Sequence, residues 1–482
     1  MHKLAFFPIT ILMTSLLASN LALADNNEQR STVNDQQEVA VTIYNNNLAL
    51  VKDQRKLKLS SGQVALAFRD VSAQIRPETA LLRSVTAPGS LSVIEQNFDF
   101  DLLTPQKLLE KYVGKTVGII RMNPATGVET REEAQVLSVQ NGTVFKIGER
   151  IETGIPGRIV YGEVPANLRD RPTLVMSLNN TNVQAQNVEL SYLTGGLGWK
   201  ADYVVELNPA DDKLDISGWV TLSNTSGASY RNAKLQLVAG DVNQVRRNEA
   251  MPMQAVASFA RAAPAVAKMA EESLFEYHLY TLDRPTTIAE NQTKQVALLS
   301  AANVPVRKEF LLAGGDYYYQ SSYGDLGQKL KVGVFIEIEN KDSSHLGMPL
   351  PKGIIRVYKK DTAGNAQFIG EDNIDHTPKN EKVRLKLGDA FDVTADKKQT
   401  DFKKVAGNSK YNYIFESAYE IVLKNAKKEA VTVKVQEPMP GDWSIMSASQ
   451  PHTKGASNTA VWNVVVPAEG KATLTYRALV RY

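Results

Sequence analysis

The chain contains no cysteine among its 482 residues. That absence excludes disulfides, thiolate metal sites and thiol nucleophiles together. Histidine is nearly as scarce, with five copies, and His278, His345, His376 and His452 stand far apart in the sequence. No H-x-x-x-H or H-E-x-x-H pair occurs, so a zinc-hydrolase site has no local support. A G-x-S-x-G elbow and a glycine-rich phosphate loop are missing too. Nor is there a strong charge bias: 55 Lys and Arg stand against 52 Asp and Glu, a formal +3. With the two signs interspersed, this balance gives no electrostatic reason to expect nucleic acid as a partner. The short basic pairs Arg246-Arg247 and Lys397-Lys398 read as solvated surface. Beyond the first 24 residues no apolar run approaches the ~18 residues of a membrane-spanning helix, so no integral membrane segment is expected there.

Those first residues are different. His2 and Lys3 make a short basic start, Leu4 to Leu17 is mostly apolar, and Ala22-Leu23-Ala24 precedes the polar run Asp25 to Glu28. This is the pattern of a secretory signal peptide cleaved after Ala24. Thr10, Thr14, Ser15 and Asn20 interrupt the apolar stretch and argue against a membrane anchor. The mature protein is therefore expected in the periplasm or outside the cell. An exported chain without cysteine fits a bacterial envelope, where domains of this size hold together by core burial and hydrogen bonding. An apolar content of 43% with 22% charged residues is ordinary for chains that bury real cores.

Period-2 patterning dominates the remainder of the chain. Val39, Val41 and Ile43 alternate with polar or small residues before Asn45-Asn46-Asn47, and Val64, Leu66 and Phe68 do the same. One short helix is expected, with Thr104 as N-cap, Pro105 at the first position, Leu108, Leu109 and Tyr112 on one face and Gly114 at the end. Short strands then come in quick succession from Lys115 to Tyr161, with a hairpin signal at Asn141-Gly142. They suggest a small SH3-like barrel inserted in a larger β domain. Longer strands resume after Pro172. Residues Arg246 to Glu272 are rich in Ala, Met, Arg and Pro and read as a flexible linker. The C-terminal third alternates most cleanly, as in Val332/Val334/Ile336/Ile338, Tyr419/Ile421/Leu423 and Val431/Val433/Val435. The expected fold is all-β with few helices, built of antiparallel β-sandwich domains and ending in an immunoglobulin-like one. The expected division is a signal peptide (1–24), a β domain (25–103) continued at 163–245 around the small barrel (104–162), a linker (246–274) and the C-terminal sandwich (275–482). Glu339-Asn340, Ser223-Asn224 and Lys424-Asn425 close strands in a recurring way, which fits the tolerance of Asn for left-handed backbone.

Several long strings resemble a bacterial family, the domain of unknown function numbered 4139. They are FEYHLYTLDRPTTI (Phe275 to Ile288), LGMPLPKGIIRVYKKD (Leu346 to Asp361), IGEDNIDHTPKNEKVRLKLGDAFDV (Ile369 to Val393), GDWSI (Gly441 to Ile445) and TLTY (Thr473 to Tyr476). LSYLTGGLGWKADYVVELN (Leu190 to Asn208) shares the resemblance. It implies a mostly β, often exported protein, and carries no established catalytic residues.

Two clusters remain as candidate sites. Asp372, Asp375 and His376 lie in the densest polar run, Glu371 to Thr377. They suit calcium ligation or general acid–base work, or plain capping of loop N–H groups. Tyr317, Tyr319 and Tyr323 beside Gly314-Gly315 suit contact with a glycan or protein, or else the lining of a strand with Tyr318 inward. Trp199, Trp219, Trp443 and Trp462 fall in strand patterns and read as core anchors. No catalytic, cofactor-binding or metal-ligating residue is assigned. The sequence reads as an exported envelope protein that binds a protein or glycan. Two alternatives are an exported hydrolase using loop carboxylates and an outer-membrane barrel ending in the alternation Tyr476/Ala478/Val480/Tyr482.

Overall fold

Alternating side chains can bury one face only if strands pair and that face is covered, and strands account for nearly all the regular structure here. The computed structural model describes residues 28–99, 101–155, 157–165, 168–244, 269–407, 409–456 and 458–482. The expected leader and the segment 245–268 lie outside the described residues.

The chain forms two units, each built of several separate stretches. One comprises residues up to 36, 55–71 and 82–189; the other comprises 37–54, 72–81 and 190–482. The reason is long-range pairing. Within the second unit Ala40 to Tyr44 runs parallel to Lys234 to Val238, which ties an early strand to a much later one.

In the first unit Gly62–Arg69 pairs with Glu28–Ser31 on one side and Thr173–Asn180 on the other, and Thr173–Asn180 continues to Leu91–Asp99. The insert comes next in the chain. Its helix is Pro105–Lys111, with the Thr104 side chain accepting from the Lys107 N–H, as the capping signal predicts. Five antiparallel strands stand in the order Arg150–Thr153, Val144–Ile147, Glu129–Ser138, Thr116–Met122, Arg158–Val160. Leu109 and Tyr112 of the helix close their core with Val117, Ile119, Val136 and Phe145. Among the described residues the two outer strands pair only on their inner sides. The expected five strands are present, and the expected closure is not shown.

In the second unit the strand Ala270–Leu274 corrects the C-terminal end of the expected linker. It forms a hairpin with Tyr277–Thr281, turning at Phe275 with φ 56°. Further on, the strands that frame the candidate site are β1 (Gln292–Ala313), β2 (Asp325–Glu339), β3 (Lys382–Val405), β4 (Ile414–Asn425), β5 (Val431–Pro438), β6 (Asp442–Ala448), β7 (Thr459–Val466) and β8 (Gly470–Arg481). Antiparallel pairing runs β1-β2-β3-β4-β8-β6. On its other side the end of β1 runs parallel to β5, and β5 pairs with β7. Inward residues of both arms meet in one core: Tyr419, Ile421, Leu423, Leu474, Tyr476 and Ala478 with Val431, Val433, Val435, Trp462 and Val464. The terminal alternation of Tyr476, Ala478 and Val480 thus faces this interior. Trp199, Trp443 and Trp462 are buried as expected, and Trp219 is half-buried.

The strand-end asparagines have another cause than the expected one. Asn224, Asn340 and Asn425 are buried, and none has positive φ. Each amide instead stitches a loop. Asn340 donates to the carbonyls of Met348 (2.8 Å) and Pro378 (3.0 Å) and accepts from the Gly347 N–H (3.0 Å). Asn425 and Asn224 repeat the arrangement with Glu429, Pro467 and Lys427, and with Ala228, Ile288 and Ser226. Asn340→Ala should strand these groups without water, and we expect it to cost about 2–3 kcal/mol in urea unfolding, with the slope unchanged. A loss near zero would show that the stitch is dispensable.

Candidate functional site

The acidic run is spread along a strand and its exit. Asp372 lies in the strand Ala366–Ile374, and its carboxylate accepts the N–H groups of Lys386 (2.7 Å) and Asn373 (2.9 Å). Asp375 is exposed just past that strand. Neither lines the hollow around Leu207, Lys308 and Leu387 or the one around Arg307, Lys434 and Asn463, and no group of three or more metal-ligating side chains exists among the described residues. His376 is half-buried; its Nδ1 accepts the Lys352 N–H (3.2 Å), and its Nε2 lies 3.3 Å from the Asn45 amide nitrogen. Burial, then the Lys352 and His278 charges, hold its pKa below the ordinary value against the pull of Asp241 and Asp375. A depressed histidine pKa means that the unfolded chain takes up a proton first as the pH falls. Stability should therefore drop between about pH 6.5 and the lower folded pKa, and His376→Gln should flatten that drop in unfolding midpoints. An equal drop in the variant would assign it elsewhere.

The tyrosine cluster is real, but it is divided. Residues Asp316–Tyr319 form a 3-10 turn. With three residues per turn it cannot alternate as a strand does, so neighbouring Tyr318 and Tyr319 both point inward while Tyr317 stays half exposed, at 53%. Tyr317 stands edge-on to Tyr323 at 5.7 Å. Tyr319 is fully buried, which removes it from the surface expected of it and places it in the core.

Four further rings extend this surface. Phe402 of β3 stacks on Phe415 of β4 (5.7 Å), Phe415 stacks on Tyr413 (6.4 Å, planes 8° apart), and Tyr482 meets Phe415 edge-on (6.0 Å). Gln320 joins the two groups by donating to the Tyr482 hydroxyl (3.3 Å). Phe415 shares the inward face of β4 with Ser417 and Tyr419, yet it is only half-buried. The core thus ends in a partly open aromatic rim. The spacing of Phe402, Tyr413 and Phe415 gives no local motif, because their proximity comes from the β3–β4 register that pairs Lys404 with Phe415.

Behind the rim lies a second feature that sequence reasoning misses. Lys397, expected on the solvated surface, is buried with its Nζ 2.6 Å from Glu437 Oε2; the two side chains are 2% and 0% exposed. Adjacent strand residues face opposite ways, so Lys398 alone reaches solvent and pairs with Glu420. Tyr319 donates to the same Glu437 oxygen (3.1 Å) and is hydrogen-bonded to Tyr476 (2.9 Å). The rings of Tyr318 and Tyr419 cover Nζ at 4.2 and 5.2 Å. Gln399 and the Tyr419 hydroxyl hold the Tyr318 carbonyl from the next inward position. Burial lowers the Lys397 pKa, opposed by Glu437, and burial with the Glu437 charge raises those of Tyr319 and Tyr476. Gly314 is required here, because a Cβ at that position would collide with the Glu437 carboxylate.

No curated protein matches the chain. A family model does, over residues 188–482, a span that holds both the rim and the buried pair and begins well before the Phe275 string. That match takes in more than half of the sequence, and the chain belongs to the family described as Domain of unknown function (DUF4139).

Proposed function

We propose that the protein is an exported cell-envelope module that binds a protein or glycan partner through the aromatic rim. The observation that carries this reading is the row of stacked rings Phe402, Phe415 and Tyr413, continued by Tyr482, Tyr317 and Tyr323. Half-exposed Tyr and Phe offer a flat apolar face with a polar tip and are enriched where proteins bind partners. Lys404 over Tyr413 (5.5 Å) and the Arg477–Asp401 pair (2.8 Å) supply a polar fringe. The leader pattern, read as a signal peptide, supports export, and no helix among the described residues is long and apolar enough to cross a membrane. In this reading β1 to β8 form an immunoglobulin-like sandwich and the five-stranded insert an SH3-like barrel. Both serve as frames that hold loops and rims in place. A hydrolase using Asp372 and Asp375 gains no support from carboxylates committed to backbone N–H groups or to open solvent.

Co-sedimentation with envelope glycan and in-cell crosslinking test the proposal. Phe402→Ala combined with Tyr413→Ala should lower capture at least tenfold while leaving the unfolding midpoint near wild type. Undiminished capture by that folded double variant would sink the rim as the binding face.

A further inference from the structure

The Lys397–Glu437 pair is poorly served as an ion pair. An ammonium offers three N–H donors, yet among the described residues Nζ meets a single oxygen and two ring faces. Both donors to the carboxylate, Lys397 and Tyr319, go to Oε2, and buried Oε1 has no partner. Full charges left so sparsely solvated in a core are costly. An amide between the same two side chains would carry no charge and would need only one donor for its carbonyl and one acceptor for its N–H.

We infer that Lys397 and Glu437 are the site of an intramolecular isopeptide bond that forms once the domain has folded. The ammonium proton first passes across the 2.6 Å contact to the carboxylate, leaving an amine and a carboxylic acid. The Nζ lone pair then attacks Cδ. Cδ is one C–O bond beyond the contacted oxygen, which brings it close to the near-attack range of ~3–3.5 Å from Nζ. The N–C bond forms, the C–Oε2 bond breaks, and Oε2 leaves as water with the proton it received and one proton from the attacking nitrogen. No oxidant, reductant or activating group is consumed. Tyr319, donating to Oε2 and itself held by Tyr476, assists the departure of that oxygen as charge develops on it. Since Oε1 is unheld, the carboxyl plane can turn to meet the amine. Burial disfavours the charged lysine and so favours the nucleophilic form. The bond would join β3 to β5, strands that share no backbone ladder. It would thus clamp opposite walls of the core in a chain that has no cysteine for the purpose.

Intact-mass and peptide mass spectrometry of the natively purified full-length mature protein decide the matter. The expected result is a mass one water below that of the mature sequence, with a branched tryptic peptide joining residues 397 and 437. Lys397→Met should restore full mass for its own sequence. Glu437→Gln should give the same branched peptide by loss of ammonia, which shows the link without depending on the carboxylate. A folded wild-type protein of full mass, cleaved by trypsin after Lys397 with no branched peptide, overturns the inference whatever the variants do.

Discussion

Lys397→Met should destabilise the protein by about 3–5 kcal/mol, among the largest effects of any single substitution here. Methionine fills most of the volume and keeps the apolar contact with the Tyr318 and Tyr419 rings, so packing is not the main loss. What remains is Glu437, wholly buried, with Tyr319 as its only hydrogen-bond donor among the described residues. Lys397→Met combined with Glu437→Leu should recover only the part of that cost that comes from the stranded carboxylate; the part that both variants share belongs to the lost link between β3 and β5. Urea unfolding followed by tyrosine fluorescence measures both. Should the single and double variants fall by the same amount, the stranded charge would not be the cause; a loss shared in that way would instead point to the connection between β3 and β5.

Trp462→Ala should cost a comparable ~3–5 kcal/mol, and for an unrelated reason. Trp462 is fully buried, stacks on Tyr476 at 4.8 Å and lies 5.8 Å from His452. Its ring fills the space between the two arms of the C-terminal core, and alanine would leave a cavity there. The indole N–H has no acceptor among the described residues. Trp462→Phe should therefore cost distinctly less, about 1–2 kcal/mol, because no hydrogen bond is given up with the smaller ring. If phenylalanine proves as damaging as alanine, the N–H has a partner, such as a buried water, that the protein atoms do not supply.

Much of the β architecture was legible because burial on one face writes itself into alternate residues. Tyr419/Ile421/Leu423 and Val431/Val433/Val435 each announced a strand and its inward side, and both faces are where they were expected. The helix at Pro105 was legible from its cap. The same period held the buried pair as well. Val393 and Ala395 put Lys397 on the inward face, and Val433 and Val435 put Glu437 there. Reading Lys397-Lys398 as a basic cluster overrode that alternation and moved the lysine to the surface. Composition was a poorer guide than phase.

The candidate clusters are divided for a related reason. Asp372, Asp375 and His376 are close in sequence, but along a strand and its exit closeness sends side chains apart, one to a backbone N–H, one to solvent and one to the Lys352 backbone. Tyr317 and Tyr319 were separated by a single turn whose three-residue repeat no alternation rule describes.

By itself, then, the sequence determined the mostly β class, the helix at Pro105–Lys111, the inward face of strands such as Tyr419/Ile421/Leu423 and the impossibility of disulfides, since these come from local periodicity and residue chemistry. Only the tertiary structure decided that Ala40 to Tyr44 joins a strand near residue 236, that Phe402, Tyr413, Phe415 and Tyr482 make one rim, and that Lys397 meets Glu437. Those are outcomes of register and of sheet curvature. They depend on which strands pair and how the two arms close over one core, and no window of neighbouring residues contains that information.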